Sequence, residues 1–256
     1  MNKKLALVTG ASSGIGRDMA RILATKGYNL ILVARDEEKL EELKNELNVE
    51  VMIIPMDLSN CENCKRLHEE VKNKFGYIDV LINNAGFGEF GFFTETNLEK
   101  EINLINTNIT AVHILTKLFL KDMQEINKGN ILNVSSIAGF LPGPLMAAYY
   151  SSKSYVLRLS QSIREELKKQ KSNVKISVLC PGPVNTNFNN VAGVKFGLPS
   201  FTSEQVAKYT IEKMLKNKFL IIPGTLIKLT AFASKIVPSV ILSKFVYISQ
   251  KRKETR

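Results

Sequence analysis

The chain has 256 residues, of which 45% are hydrophobic and 23% are charged, so it contains enough apolar material for one large core. We therefore expect a single domain over residues 1–256. With only three cysteines, a disulfide framework is not supported, and a cytoplasmic location is expected. The N-terminal residues lack an apolar segment followed by a small-residue cleavage site, so we expect no secretory signal.

The formal net charge of +11 is concentrated towards the C-terminus. Residues 207–256 contain eleven lysines or arginines against Glu212 and Glu254, which gives 11 − 2 = +9. Such a segment can bind nucleic acid, anionic lipid or an acidic partner, but lysines that only provide solubility are the simpler interpretation. We expect no nucleic-acid partner and no membrane attachment, although the basic C-terminal helices leave a lipid contact open.

Short apolar runs alternate with amphipathic stretches of helical length along the chain. Continuously apolar strands that alternate with helices are typical of a parallel sheet covered on both faces. The pattern predicts an α/β fold with a single Rossmann-type, doubly wound domain of about seven parallel strands. The predicted strands are 5–9, 29–34, 51–55, 79–82, 130–135, 174–179 and 218–222, and the predicted helices are 14–26, 37–47, 61–75, 98–126, 148–170 and 204–217.

A glycine-rich turn, Thr9–Gly16, follows the first predicted strand. Its glycines permit a tight turn and a close approach of backbone N–H groups to a pyrophosphate, and the helix N-terminus adds partial positive charge. A glycine-rich turn also occurs as a plain connection, but the position between a strand and a helix favours phosphate binding. The expected cofactor contacts here are Gly10, Ser12, Ser13, Gly14, Ile15 and Gly16.

Four motifs, in order and spacing, resemble those of the short-chain dehydrogenase/reductase family. They are Thr9–Gly16, Asn83-Asn84-Ala85-Gly86, the pair Tyr149-x-x-x-Lys153, and Pro181-Gly182 after the sixth strand. The resemblance implies a Rossmann-type oxidoreductase that moves hydride between a nicotinamide cofactor and an alcohol or carbonyl carbon, in a homodimer or homotetramer. It also implies further cofactor contacts from Asp57, Leu58, Asn84, Ala85, Gly86, Tyr149, Lys153, Pro181, Gly182, Val184 and Thr186. For Asp57, a plain helix-preceding turn is the alternative.

The end of the second predicted strand indicates which cofactor is used. An acidic residue there selects NAD by binding the ribose, but Ala34 occupies this position and Arg35 follows it. A guanidinium can pair bidentately with the 2′-phosphate that only NADP carries. Asp36 is acidic but lies two residues after this position, and we interpret it as the N-cap of the next helix. The sequence therefore predicts NADP(H).

The predicted catalytic pair is Tyr149 and Lys153, one helical turn apart. Hydride transfer to a carbonyl creates an alkoxide that needs a proton, and a tyrosine with pKa ~10 is a poor catalyst unless a neighbouring ammonium lowers that pKa. Spacing alone leaves Tyr150 as an alternative, since it lies three residues before Lys153. The family resemblance selects Tyr149, because its serine lies thirteen residues earlier, at Ser136.

The resemblance also implies a fourth catalytic residue, Asn108, which positions a water near the lysine. Asn106 competes for this assignment. The pair Cys61 and Cys64 has a metal-like spacing, but no second pair of Cys or His accompanies it, so we expect no metal site.

The substrate side is expected in a loop over residues 187–202, containing Phe188 and Phe196, followed by a C-terminal helical extension over 225–256. Apolar side chains in loops beyond the strand ends favour a medium or bulky apolar ketone, aldehyde or ketoester. The candidates for this apolar wall are Phe87, Phe90, Phe92, Phe93, Phe140, Leu141, Leu145 and Met146.

Three alternative functions remain open at the level of sequence, and one of them, a membrane-associated lipid reductase, is favoured only by the basic C-terminal segment. A 3-oxoacyl-carrier-protein reductase of fatty-acid synthesis shares all four motifs, but its Gly-Gly-containing segment after the last strand is replaced here by Phe219–Gly224. An NADP-binding regulatory protein without turnover would be expected to have lost a catalytic residue, and none is lost.

Overall fold

The computed structural model describes residues 4–185 and 201–254. Its strands are β1 Leu5–Thr9, β2 Asn29–Ala34, β3 Val51–Pro55, β4 Val80–Asn83, β5 Asn130–Val134, β6 Lys175–Leu179, β7 Val184–Asn185, β8 Phe201–Thr202 and β9 Leu220–Ile221. Seven of them form one parallel sheet in the order β3-β2-β1-β4-β5-β6-β9, while β7 pairs separately with β8. The predicted doubly wound fold is confirmed.

Helices connect the strands and follow the last of them. They are α1 Gly14–Thr25, α2 Glu37–Glu46, α3 Cys61–Phe75, α4 Leu98–Ile105, α5 Val112–Glu125, α6 Ala147–Lys169, α7 Ser203–Leu215, α8 Thr225–Ala233 and α9 Ser239–Glu254. The helix predicted over 98–126 is divided, because a π-helical turn, Asn106–Ala111, separates α4 from α5. Apolar periodicity predicts that a helix is present, but it does not show where one turn widens.

The strands are mostly apolar in sequence because helices cover both faces of the sheet. Along β1, Ala6 and Val8 pack in the core shared with α1 and α7, whereas Leu7 packs in the opposite core with α3 and α5. Successive side chains of a strand point to opposite faces, so Ala6, Leu7 and Val8 all need to be apolar.

Local capping fixes where the helices of the cofactor side begin. Asp36 is the N-cap of α2, since its carboxylate accepts a hydrogen bond from the Lys39 backbone N–H at 3.1 Å, as predicted. Helix α7 starts after Thr202, not after Ser203 as expected, because Thr202 and Gln205 form a reciprocal capping box.

The sheet has its switch point between β1 and β4, where successive connections leave towards opposite edges. Ligands of doubly wound folds bind in the crevice at this point, beyond the carboxyl ends of the strands. Residues 187–200 of the predicted substrate loop lie outside the described residues. Among the helices of the described ranges, none combines the length and apolar character needed to cross a bilayer.

Candidate active site

A cavity of about 680 Å³ lies beyond the carboxyl ends of the central strands. It brings together most of the residues expected from the sequence, whereas Gly16 and Asn108 do not line it, and Thr186 lies outside the described residues. The expected residues that line it are Gly10, Ser12, Ser13, Gly14, Ile15, Arg35, Asp57, Leu58, Asn84, Ala85, Gly86, Ser136, Tyr149, Lys153, Pro181, Gly182 and Val184.

The turn after β1 leaves room for a phosphate that larger residues would remove. Gly10 has φ +64°, and a Cβ on it would stand 2.9 Å from the Ala85 Cα. A Cβ on Gly16 would meet the Gly10 carbonyl oxygen at 2.3 Å, so helix α1 can pack this closely only with glycine. The start of α1 at Gly14 lines the cavity and therefore presents its N–H groups to an anion.

Asn84 holds this turn in place from the neighbouring strand. Its side-chain nitrogen donates to the carbonyl oxygens of Thr9 and Gly10, both at 3.1 Å. The Thr9 hydroxyl accepts from the backbone N–H groups of Asn84 and Ala85, at 3.0 and 3.1 Å. The motif after β4 thus shapes the phosphate cradle as well as lining it.

Three cations line the end of the cavity near β2, together with the acid Asp36, which pairs with Lys39. Arg35 is exposed there, and Arg17 and Lys39, which sequence reasoning missed, also line the cavity. Arg17 pairs through Nη2 with Glu46 at 2.6 Å, while its buried Nε has no protein partner among the described residues. Arg17 directly follows the glycine motif in the sequence, and this position could have identified it as a cation on the cofactor side.

Asp57 and Leu58, which follow β3, also line the cavity. The Asp57 carboxylate also accepts from the Ser59 backbone N–H at 2.9 Å, so it shapes the turn before α3 as well. The two interpretations of Asp57 are therefore compatible.

Tyr149 and Lys153 of α6 meet Ser136, which follows β5. The Ser136 and Tyr149 hydroxyls share a hydrogen bond, and the Lys153 ammonium nitrogen lies 5.8 Å from the centre of the Tyr149 ring. Lys153 is buried, and its Nζ donates to the Val134 carbonyl oxygen at 3.0 Å. A proton donor, a polarising hydroxyl and a cation thus stand at one point of the cavity.

The pKa of Tyr149 differs from the sequence-based expectation. Burial raises it above its usual value, and the hydrogen bond with Ser136 offsets only part of that increase, so the expected lowering by Lys153 is wrong for this structure. Burial also lowers the pKa of Lys153 to about 8. At neutral pH the phenol therefore keeps its proton and Lys153 is mostly charged, which suits Tyr149 to proton donation.

Asn108 lies on the π-helical turn and is fully buried. Its side chain donates to the Phe87 carbonyl oxygen at 2.9 Å and to the Ser152 hydroxyl at 3.0 Å, and it accepts from the Phe87 N–H at 3.1 Å. A Cβ on Gly86 would lie 2.8 Å from its Oδ1 and 3.3 Å from the Lys153 Nζ. The structure therefore brings Asn108 next to Lys153, and a widened turn of this type is frequent at functional sites.

The predicted apolar wall is only partly present. Phe87 and Met146 line the cavity, and Phe90 packs on Met146, whereas Phe92 and Phe93 are 45% and 69% exposed. The other candidates in the described ranges, Phe140, Leu141 and Leu145, do not line the cavity. Phe188 and Phe196 lie outside the described residues.

Tyr150 and Gln250 complete the substrate side, and sequence reasoning placed neither there. Tyr150, which the spacing left as an alternative to Tyr149, lines the cavity, and its hydroxyl accepts from Gln250 Nε2 at 2.7 Å. Gln250 is only 1% exposed and comes from α9, 100 residues further along the chain. No local pattern around Gln250 predicts this position.

The two thiols at the start of α3 differ in burial, since Cys61 is half-buried and Cys64 is buried. Burial raises the pKa of Cys64 to about 12, which disfavours the thiolate that a metal would need. Within residues 4–185 and 201–254, no cluster of three His, Cys, Asp or Glu side chains could hold a metal ion.

Comparison with known proteins identifies the family. A sequence profile described as short chain dehydrogenase matches residues 4–194, about three quarters of the chain. The chain belongs to the short-chain dehydrogenase/reductase family. A relative in the same family, a 3-oxoacyl-[acyl-carrier-protein] reductase of Haemophilus influenzae, is 31% identical over 206 residues, which cover 78% of this chain and 84% of the relative.

Solved structures of the short-chain dehydrogenase/reductase family superimpose closely. A family member from Burkholderia phymatum in complex with NAD gives a TM-score of 0.83 at 27% identity, covering 90% of this chain and 92% of that one. A short-chain dehydrogenase from Sphingobium yanoikuyae in complex with NADPH gives 0.81 at 28%, covering 91% and 93%. The bulky-bulky ketone specific alcohol dehydrogenase from Comamonas testosteroni gives 0.77 at 29%, covering 87% of each chain. This chain is thus an oxidoreductase that uses a nicotinamide cofactor on CH–OH or C=O groups.

Proposed function

We propose that the chain is an NADPH-dependent carbonyl reductase of medium or bulky apolar ketones, aldehydes or ketoesters. The observation that carries the proposal is the meeting of Tyr149, Ser136 and Lys153 in the same cavity as the phosphate cradle. A nicotinamide bound there supplies or accepts the hydride at the substrate carbon.

Tyr149 is the general acid in the direction of reduction. Its phenolic proton passes to the substrate oxygen as the carbon–oxygen double bond becomes an alcohol, and its raised pKa keeps that proton available at neutral pH. Ser136 donates to the same oxygen and stabilises its developing negative charge. Lys153 holds the cofactor ribose, and its charge favours the phenolate that remains after proton transfer. Asn108 positions a water beside Lys153.

The cations near β2 support a preference for NADPH over NADH. Ala34 stands where an acid would bind the ribose of NAD, and Arg35 follows it. Arg17 and Lys39 line the same end of the cavity. A 2′-phosphate placed among these side chains accepts charge-assisted hydrogen bonds that a ribose hydroxyl cannot match. Solved relatives bind either cofactor, so the residues of this chain carry the preference.

The substrate side supports an apolar substrate with a polar contact away from the reacting carbon. Phe87, Ile137 and Met146 give the cavity apolar walls, and the Tyr150–Gln250 pair offers the polar group. The ketone-specific relative supports the same class.

A 3-oxoacyl-carrier-protein reductase is the alternative, and the 31% identity to such an enzyme favours it. That substrate arrives on an acidic carrier protein, whereas a free ketone requires no such partner. A 3-oxoacyl thioester offered on carrier protein and as a small-molecule thioester therefore separates the two functions.

The direct test is NADPH oxidation measured across aromatic ketones, β-ketoesters, steroids, sugars and acyl thioesters, with Tyr149→Phe as the matched control. We expect turnover of bulky apolar carbonyls by the unaltered chain only. A strong preference for the carrier-linked thioester would establish the alternative instead, and equal turnover by Tyr149→Phe would remove the catalytic assignment.

A further inference from the structure

The C-terminal helices expose an unusual amount of apolar surface. We call the following eight side chains, each between 45% and 69% exposed, the C-terminal patch: Leu226, Leu229, Phe232, Ile236, Val240, Ile241, Phe245 and Ile248. Exposed large apolar side chains concentrated in one segment in this way indicate an interaction site.

The patch is the outward face of two helices that contact the rest of the domain through Ile227, Ala231 and Gln250. On α8, Leu226, Leu229 and Phe232 lie within an arc of about 120° at 100° per residue, while Ile227 and Ala231 point to the core. A helix on the surface of a globular protein normally has its apolar stripe towards the core and polar residues outside. Helix α8 is apolar on both sides.

Helix α9 also has an exposed apolar face. Val240, Phe245 and Ile248 fall on one face, within about 140°, and Gln250 lies on the opposite face, buried against Tyr150. Lys244 is exposed within the apolar arc of α9. The outer face of α9 is therefore both apolar and basic.

The charge of the segment indicates what covers the patch. Lys228, Lys235, Lys244 and Lys251 are exposed, and residues 225–253 contain no Asp or Glu. Large apolar side chains interspersed with lysines are the composition of helices that lie in the interface of an anionic bilayer. A second copy of the chain fits less well, because a two-fold contact would bring two sets of lysines together.

We propose that α8 and α9 form a docking surface for anionic lipid bilayers. The apolar side chains of the patch enter the boundary of the acyl chains, and the lysines contact the headgroup phosphates. Sequence alone favoured no membrane attachment, and the new observation is the outward direction of the apolar side chains.

The patch adjoins the substrate side of the cavity. Ile227 of α8 packs so closely on Gly182 that a Cβ there would meet it at 2.5 Å, and Gln250 of α9 reaches the cavity itself. If the proposed function holds, an apolar carbonyl dissolved in the bilayer reaches the active site from this side. Lipid docking itself does not depend on that function.

The test is sedimentation of the full chain with vesicles of phosphatidylcholine alone or with about 30% phosphatidylglycerol, at roughly 0.15 M salt. We expect binding to the anionic vesicles only. Phe232→Ser combined with Phe245→Ser should weaken binding about tenfold or more for each phenylalanine. The control pair, Leu98→Ser with Ile126→Ser, removes exposed apolar side chains elsewhere and should bind as the unaltered chain does.

A second set of variants separates local from overall charge. Replacing Lys228, Lys235 and Lys244 by Ala should weaken binding about fivefold for each lysine. The same change at Lys26, Lys74 and Lys169, which are exposed outside the patch, should have little effect.

Three outcomes would overturn the proposal. They are no binding to anionic vesicles, equal losses from the two lysine triples, and a Phe232→Ser/Phe245→Ser variant that becomes monomeric while lipid binding is unchanged. Thermal melting and NADPH binding of each variant show whether it is folded, and a misfolded pair is replaced by Leu229→Ser with Ile248→Ser.

Discussion

The two walls of the cavity are built in different ways. The cofactor wall consists of turns that directly follow strands, and it is held by hydrogen bonds such as those that the Asn84 side chain donates to the Thr9 and Gly10 carbonyl oxygens. The substrate wall consists of side chains from helices distant in sequence, with Tyr150 and Gln250 joined by one hydrogen bond. A phosphate cradle needs backbone groups at fixed positions, whereas a substrate wall needs only side chains of suitable size and polarity.

The largest expected effect lies at the junction of the two walls. Tyr149→Phe should fold, bind NADPH and lose about 10²–10⁴ in kcat, since it removes the general acid. Tyr150→Phe should keep most of the activity, because Tyr150 contacts Gln250 and not Ser136. Steady-state kinetics of carbonyl reduction by both variants measure this difference. A larger loss of kcat in Tyr150→Phe than in Tyr149→Phe would assign the chemistry to Tyr150.

A large effect is also expected at the ribose end of the cofactor wall. Arg35→Asp should lower kcat/KM with NADPH about 10–100-fold, as expected for loss of hydrogen bonds to a charged group, and should spare or improve NADH use. The same measurements on Arg66→Asp, on the first half of α3 and outside the cavity lining, control for the change in net charge. Equal efficiency of the unaltered chain with both cofactors would contradict the prediction.

Lys153 should make the catalytic efficiency with NADPH depend on pH. Burial lowers the pKa of Lys153 to about 8, so the ammonium is present below that pH and is lost as the pH rises through it. We expect kcat/KM for NADPH, which reports the free enzyme, to be level near neutrality and to fall about tenfold per pH unit well above pH 8. Lys153→Arg, with a guanidinium that stays charged, should remove this decline if it folds. A level profile in the unaltered chain up to about pH 10 would contradict the assignment.

The smallest effect is expected on the substrate wall. Gln250→Leu removes one hydrogen bond to Tyr150, typically worth about 0.5–1.5 kcal/mol, and should change the KM of the carbonyl substrate by about 2–12-fold. The KM of NADPH should stay the same, because Gln250 lies on the substrate side. Gln161→Leu, which removes a solvent-exposed hydrogen bond with Arg158 on α6, outside the cavity lining, is the control. A change in the KM of NADPH alone would show that the two walls are not separate.

The sequence predicted the cofactor wall far better than the substrate wall. Gly10, Gly14 and Arg35 are recognisable because each lies at a fixed offset from an apolar strand, and strand ends of a parallel sheet meet at one edge. Phe92 and Phe93 were expected in the cavity and are exposed instead. An aromatic side chain in a loop carries no signal for the direction in which the loop folds.

The sequence by itself determined the sheet, its helices, the phosphate cradle and the Tyr149–Lys153 pair, because strand and helix periodicities and glycine spacing are local properties. Only the tertiary structure decided that a π-helical turn brings Asn108 beside Lys153, that Gln250 reaches Tyr150, and that α8 and α9 direct apolar side chains outwards. It also decided the pKa of Tyr149, since the surrounding protein outweighs the neighbouring lysine. Desolvation and helix orientation depend on the packing of segments that are far apart in the chain, and no local pattern encodes that packing.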